Sequence, residues 1–362
     1  MNQTIPTTTK RKNYAFLWIS LVCVLIITGI SIFNFIKPLL VENSTINNVK
    51  GYLLTDNGID YVTNKDNKIS KTNVIANDKI TKFNLTQSSI IYQESAEEDS
   101  KNVNVFLYDL NNKESHNIVS SDESYSYTKA APIGSNILGI LIDDNVNLTR
   151  QLKLIDLKTH DSFVIKSPTE TEDNSVIDWA ASPDGETLLF KDSTDSIYLY
   201  NVKNKEVTLI GNFNNVFGYL DNETVWLSNI EDNKKLTLYN VKSKQQKPVN
   251  LTEDIQKITF LDGTLLSNTT QETTVWSTSG FYGTDTAAQK IISISNGKPK
   301  IIFDLTAAGF KFSKPQLNFD NNDSLVIVSA VDNLNTNGIL FISLLTGDVM
   351  ASIPGKEFIL TE

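Results

Sequence analysis

The 362-residue chain is long enough for one large domain or two ordinary ones, and at 40% hydrophobic residues it can bury a real core. Its net charge of −10 is unevenly placed: Lys10, Arg11 and Lys12 are the only charges in residues 1–36, which leaves 29 basic and 42 acidic side chains, net −13, for residues 37–362. Such an acidic region repels phosphate backbones and sets nucleic acid aside as a partner, and the single cysteine, Cys23, rules out disulfides and cysteine zinc sites beyond it.

Residues 1–13 read as a short basic tail. Residues 14–36, YAFLWISLVCVLIITGISIFNFI, carry no charge. As a helix they span about 34 Å at about 1.5 Å per residue, enough to cross a bilayer. Three basic residues precede the segment and only Lys37 follows it, so the positive-inside rule leaves the N-terminus in the cytoplasm and everything after residue 37 outside. The run is long for the apolar stretch of a cleaved signal peptide, although Gly29 and Ser31 supply small residues for cleavage. Lipidation of Cys23 is disfavoured, because Ser20-Leu21-Val22 lacks a small residue just before it. The reading is a single-pass protein of the cytoplasmic membrane, with residues 37–50 as a tether.

From residue 51 onward a pattern recurs: a β-rich run, a short polar turn with Lys and Asn, and another β-rich run. Its clearest copies are VFLYDLNNKESHNIV (105–119), LKLIDLKTHDSFVI (152–165), IYLYNVKNKEVTLI (197–210) and LTLYNVKSKQQKPV (236–249). Equivalent positions at Val62, Asp109, Asp156, Asn201, Asn240, Ile294 and Ser343 are 47, 47, 45, 39, 54 and 49 residues apart. That is the length of one four-stranded propeller blade. Each copy follows another strand-like run, such as SIIYQ, ILGILI, TLLF or TVWLS, and helical periodicity is absent outside the anchor. The expectation is an all-β, seven-bladed β-propeller over 51–362, with six or eight blades as the fallback. The runs VIDWAAS (176–182), VFGYL (216–220) and ITFL (258–261) are candidate first strands. The first blade lacks one before Gly51, and EFILT (357–361) is a spare run at the end. The C-terminal run is therefore expected to fill the gap and close the ring.

Two stretches resemble known propeller families. SPDGETLLF (182–190) is similar to the Pro-Asp-Gly repeat of TolB-like and WD40-like bacterial propellers, and Tyr61-Val62-Thr63-Asn64 resembles the YVTN-type repeat. The resemblance implies a propeller used for binding and carries over no catalytic residue.

No signature of chemistry stands out. The two histidines, His116 and His160, lie beside polar turns, and no GxSxG, HExxH or P-loop pattern occurs. Asp320-Asn321-Asn322-Asp323 offers oxygen ligands but lacks EF-hand spacing and sits where a turn is due. No catalytic residue, metal site or cofactor is assigned. Trp179, Trp226 and Trp276 read as packing between blades.

In a blade that runs a, b, c, d, the b–c and d–a connections share one face and the a–b and c–d turns share the other. The first face is acid-rich, with Glu97, Glu98, Asp99, Asp122, Asp143, Asp144, Glu172 and Asp173. Phe281 and Tyr282, in the longest b–c connection, and Tyr125 and Tyr127 are candidate contact residues for a protein or peptide partner, which the acids suggest is cationic. The second face carries Lys113, Lys158, Lys203, Lys205, Lys242 and Lys244, and the tether joins it, so these lysines are expected to face the membrane. The functional expectation is a non-catalytic binding or scaffold module of the cell envelope. The alternatives are a hydrolase or lyase acting on peptide or glycan, and an adhesin or surface-layer component.

Overall fold

A computed structural model describes residues 49–361 except 66–67, 96–102, 123, 167, 169–174, 213–214, 230–234, 251–257, 266–272, 281–288, 296–297 and 320–324. The expected anchor, the expected tether as far as residue 48, Glu97, Glu98, Asp99, Glu172, Asp173, Phe281, Tyr282 and the stretch 320–323 lie outside the described residues, while Val49 and Lys50, the last two residues of the expected tether, already belong to the folded part. Among the described residues no helix is long and apolar enough to cross a membrane.

The chain from Lys50 is a succession of strands. They are β1 (Lys50–Thr55), β2 (Gly58–Lys65) and β3 (Lys68–Ala76). Next come β4 (Ile80–Leu85), β5 (Ser89–Ser95), β6 (Val103–Asp109) and β7 (Glu114–Ser120). The third group is β8 (Tyr125–Ile133), β9 (Ile137–Asp144), β10 (Thr149–Asp156) and β11 (Ser162–Ile165). The fourth is β12 (Val176–Ala181), β13 (Thr187–Asp192), β14 (Ser196–Asn201) and β15 (Val207–Asn212). The fifth is β16 (Asn215–Tyr219), β17 (Thr224–Asn229), β18 (Lys235–Asn240) and β19 (Gln246–Asn250). The sixth is β20 (Ile258–Leu265), β21 (Thr273–Gly280), β22 (Lys290–Ser295) and β23 (Lys298–Asp304). The last is β24 (Phe310–Phe319), β25 (Leu325–Asp332), β26 (Asn337–Ser343) and β27 (Val349–Pro354), followed by β28 (Glu357–Leu360). Among the described residues these make seven four-stranded antiparallel sheets, each a meander in chain order, except that β28 returns to the first sheet in the order β28-β1-β2-β3.

Each sheet packs on the next, and the seventh packs on the first through β28, which meets β24, β25 and β26 on one side and β4 on the other. The leading strands of neighbouring sheets touch one another, as β12 does β16, β16 does β20 and β20 does β24. They therefore form the hub of a β-propeller array. The cores lie between sheets. Leu154, Trp179, Phe190 and Tyr198 fill the gap between the third and fourth sheets, and Ile59, Phe83, Ile90 and Tyr92 that between the first and second. The sequence dictates this directly. Second strands such as SIIYQES in β5 are apolar on both sides because both faces meet a neighbouring sheet, and their residues are buried without alternation.

The closing strand occupies the predicted place. Gly51 to Leu54 pair with Leu360 to Glu357, and the Thr361 N–H donates to the Lys50 carbonyl at 3.0 Å. Phe358 is 1% exposed and meets Phe341 of the seventh sheet edge-on at 5.7 Å. Gly51 permits this, because a β-carbon there would lie 2.5 Å from the Phe358 ring.

The c–d turns share one backbone. Asp109, Asp156, Asn201 and Asn240 end their third strands and accept hydrogen bonds from the N–H groups two and three residues on. Four residues on, Lys113, His160, Lys205 and Lys244 take positive φ of 59°, 63°, 60° and 58°, and Gly347 does so after Ser343. Two equivalences drawn from the sequence shift: the third strand of the first sheet runs past Val62 to Lys65, and that of the sixth ends at Ser295 rather than Ile294. Three leading strands, β4, β8 and β24, have no counterpart among the runs picked from the sequence. Pro132 and Pro315 interrupt two of them, and a strand at the edge of its sheet tolerates this because one side of its backbone is unpaired. Tyr125 and Tyr127 consequently open a strand and do not sit in a loop.

Two outcomes follow for stability. Phe358→Ala is expected to cost about 3–5 kcal/mol in denaturant unfolding of the full chain, as for other fully buried phenylalanines; a loss within error of zero would show that closure does not limit stability. Lys244→Gly, which removes a β-carbon from the left-handed region at an exposed turn, is expected to raise stability by about 0.5–1 kcal/mol with an unchanged denaturant slope.

Candidate binding site at the hub of the ring

The leading strands of four successive sheets end on one face, the face of the a–b and c–d turns. There they border an open cavity of about 1070 Å³. Leu85, Thr86 and Gln87 close it from the second sheet, and Pro132, Gly134 and Ser135 from the third. Ala181, Ser182, Pro183 and Asp184 contribute from the fourth, while Leu360 and Thr361, at the end of the closing strand, complete the wall. A groove runs outward between the first and second sheets to Tyr52, Tyr61 and Leu110.

Turn chemistry holds these ends in place. In Ser182-Pro183-Asp184-Gly185 the Gly185 N–H donates to the Ser182 carbonyl at 2.9 Å, and Gly185 has φ of 72°. The turn needs glycine for a second reason: a β-carbon would come within 2.3 Å of the Gly134 nitrogen, so the turns of the third and fourth sheets touch backbone to backbone. The Ser182 hydroxyl accepts from the Thr187 N–H at 3.0 Å and faces Asp184 Oδ1 at 2.6 Å. The Asp184 N–H reaches across to Asn222 Oδ1 of the fifth sheet at 2.9 Å. The Tyr219 hydroxyl meets Thr187 Oγ1 at 2.9 Å, and burial pushes its pKa well above the usual tyrosine range.

Tyr52 and Tyr61 are directly opposite on the β1–β2 ladder, with ring centroids 5.1 Å apart and planes tilted by 53°. Burial, then the neighbouring Tyr61 and Tyr108, raises the Tyr52 hydroxyl pKa. Both rings are half-buried, with part of each open to the groove. Among the described residues the lining holds one carboxylate, Asp184, and no lysine or arginine.

Of the residues singled out in the sequence, Tyr125 is 43% exposed at the opposite face, and the Tyr127 hydroxyl donates to the Ser120 carbonyl at 3.2 Å. The acids expected beside them are committed to structure where they are described. Asp122 accepts from the Ser124 and Tyr125 N–H groups, Asp143 pairs with Arg150, and Asp144 accepts from Val146 and Asn147. All six lysines of the other face are exposed. Acids are interleaved with them: Glu114, Asp161 and Glu206 directly follow Lys113, His160 and Lys205, and Lys242 pairs with Glu223 at 2.5 Å. Both histidines are exposed on polar stretches, away from the cavity lining. Trp179 and Trp226 are buried between sheets at 1% and 2% exposure. Among the described residues no group of three or more His, Cys, Asp or Glu is placed to hold a metal ion. Sequence reading found the Pro-Asp-Gly turn but not the cavity it lines, because the cavity arises where strand ends distant in sequence converge.

No protein-family model and no curated protein matches the chain. Solved structures do resemble it. A protein from Lactobacillus plantarum superposes with a TM-score of 0.53 at 12% identity, over 87% of this chain and 100% of that one. An oligogalacturonate lyase in complex with manganese superposes with a TM-score of 0.54 at 10% identity, over 75% and 79%. TolB from Acinetobacter baumannii aligns at 16% identity with a TM-score of 0.42, over 69% of this chain and 61% of that chain, so less than two thirds of its length is spanned. The first two likenesses are of fold alone, and the third is too loose to add to them.

The turn carboxylates make stability depend on acid. Hydrogen bonds to Asn147 hold Asp144 below its ordinary 3.8, and the N–H groups of Thr159 and Lys158 do the same for Asp156. A folded pKa below the unfolded one gives stability that is complete above the unfolded value and is lost as pH falls through the folded value. The gap in thermal midpoint between wild type and Asp144→Asn should therefore be widest near neutrality and shrink below about pH 4. A gap independent of pH would show that the carboxylate charge is not what the turn uses.

Proposed function

We propose that the chain is a single-pass protein of the cytoplasmic membrane whose helix at 14–36 carries a seven-bladed propeller outside the cytoplasm, and that the propeller is a non-catalytic module binding a protein or peptide partner. The carrying observation is the state of the ionisable groups. Asp122, Asp143 and Asp144 of the b–c and d–a connections act as turn acceptors and ion-pair partners, and both histidines stand on exposed stretches outside the cavity lining. A general base must reach the proton it takes, and among the described residues the cavity lining offers one carboxylate, Asp184, and no histidine, with the Asp184 Oδ1 already engaged by the Ser182 hydroxyl and the Glu186 N–H.

On this reading Glu97, Glu98, Asp99, Glu172 and Asp173 attract a cationic partner to the outer face, with Tyr125, Tyr127, Phe281 and Tyr282 as its contact residues. Lys113, Lys158, Lys203, Lys205, Lys242 and Lys244 look toward the bilayer. Each lysine near an anionic surface adds about 1 kcal/mol, and the interleaved acids reduce the sum. A lyase of the oligogalacturonate kind acts on a polyanion, and among the described residues the cavity lining has no cation to meet one.

The test places a photo-crosslinking residue at Tyr125 in the full chain on intact cells. The expected result is a protein adduct that weakens as salt rises and disappears on charge reversal of Glu97, Glu98, Asp99, Glu172 and Asp173. Peptide or glycan turnover by the purified chain, lost on carboxylate substitution, would establish the enzyme instead. Absence of any adduct together with cell–cell binding would establish an adhesin.

A further inference from the structure

We propose that the hub cavity is a binding site for a neutral oligosaccharide. This inference goes beyond the partner-binding reading and uses the opposite face, so either can fail without the other. At about 1070 Å³ the cavity has room for several sugar rings or a short peptide. Its lining decides between ligand classes. Gln87 and Ser135 offer uncharged groups that both donate and accept, the Thr86 hydroxyl donates to the Ser89 carbonyl and keeps an acceptor, Asp184 adds one strong acceptor, and among the described residues no side chain of the lining is cationic. A polyanion placed there would be desolvated without a countercharge from the described lining, which is costly, so acidic glycans and phosphates are disfavoured.

A neutral sugar meets no such penalty. Its hydroxyls donate and accept as these side chains do, and its C–H face is apolar. The groove between the first and second sheets supplies the matching surface: Tyr52 and Tyr61 are half-buried, fixed by ladder pairing, with rings 5.1 Å apart. Aromatic rings held in this way offer contact area at little entropic cost, and their hydroxyls can bond to the ligand rim. A peptide is less well served. Among the described residues the cavity is walled by the ends of β4, β8, β12 and β28 and the residues after them, so each leading strand gives it only its last residues and a peptide meets mostly turns and side chains.

The experiment uses the full chain in lipid nanodiscs, free of sugar detergents. Saturation-transfer NMR and calorimetry are run with cellotetraose, maltotetraose and chitotetraose, with tetragalacturonate and a proline-rich peptide as the competing classes. At least one neutral tetrasaccharide should bind, and tetragalacturonate should not. Tyr61→Ala should weaken binding about tenfold or more, while Tyr61→Phe keeps most of it. Gln87→Ala, at an exposed turn position, should weaken binding without lowering the thermal midpoint. Failure of all three neutral sugars at millimolar concentration overturns the proposal. So does binding unaffected by both Tyr61→Ala and Gln87→Ala, or preference for the peptide or for tetragalacturonate.

Discussion

Sheets that pack face to face around an axis leave two bare faces unless the last meets the first. Here that meeting is made by covalent continuity at one remove: the final strand of the chain joins the sheet begun by the first. Phe358 enters the core between the seventh and first sheets, where Leu53, Val62, Ile327, Phe341 and Ile353 surround it. The other interfaces among the described residues are built in the same way, from side chains of two neighbouring sheets. The hub cavity depends on the same strand, since Leu360 and Thr361 form part of its wall.

Charge and neutrality are divided along the blades. Short turns need acceptors close to their backbone N–H groups, and Asp or Asn at the end of a strand supplies them. Many carboxylates of an acidic domain are thereby engaged at the rims. The described lining of the cavity, where strand ends converge, offers hydroxyls, an amide, aromatic rings and a single acid. An overall charge of −10 thus says little about the site at its centre.

The second strands were legible because both their faces are buried, and the third and fourth because the turn between them has a repeated composition, even though fourth strands such as β7 are largely exposed. The spare run at 357–361 was legible by subtraction, one leading strand being absent before Gly51. The leading strands were harder. Lys82 and Asn84 in β4, and Pro132 in β8, break the alternation on which recognition rests, and they are tolerated because this strand has an unpaired edge. The left-handed residues at the c–d turns also escaped notice, since Lys113, His160, Lys205 and Lys244 are not the glycines that usually mark such a conformation. The cavity was beyond reach for a different reason: Tyr61, Gln87, Ser135 and Asp184 become neighbours only when four sheets converge.

The position of β1 has a mechanical meaning. It is the strand through which the N-terminal part of the chain joins the ring, and it lies between β28 and β2, hydrogen-bonded on both sides. A pull on the preceding segment, directed along the strand, loads two antiparallel ladders together in shear, so that many bonds share the force and none is peeled singly. A domain held at that point resists extraction better than one held by an outer strand such as β3, whose far edge is free and whose ladder can unzip bond by bond.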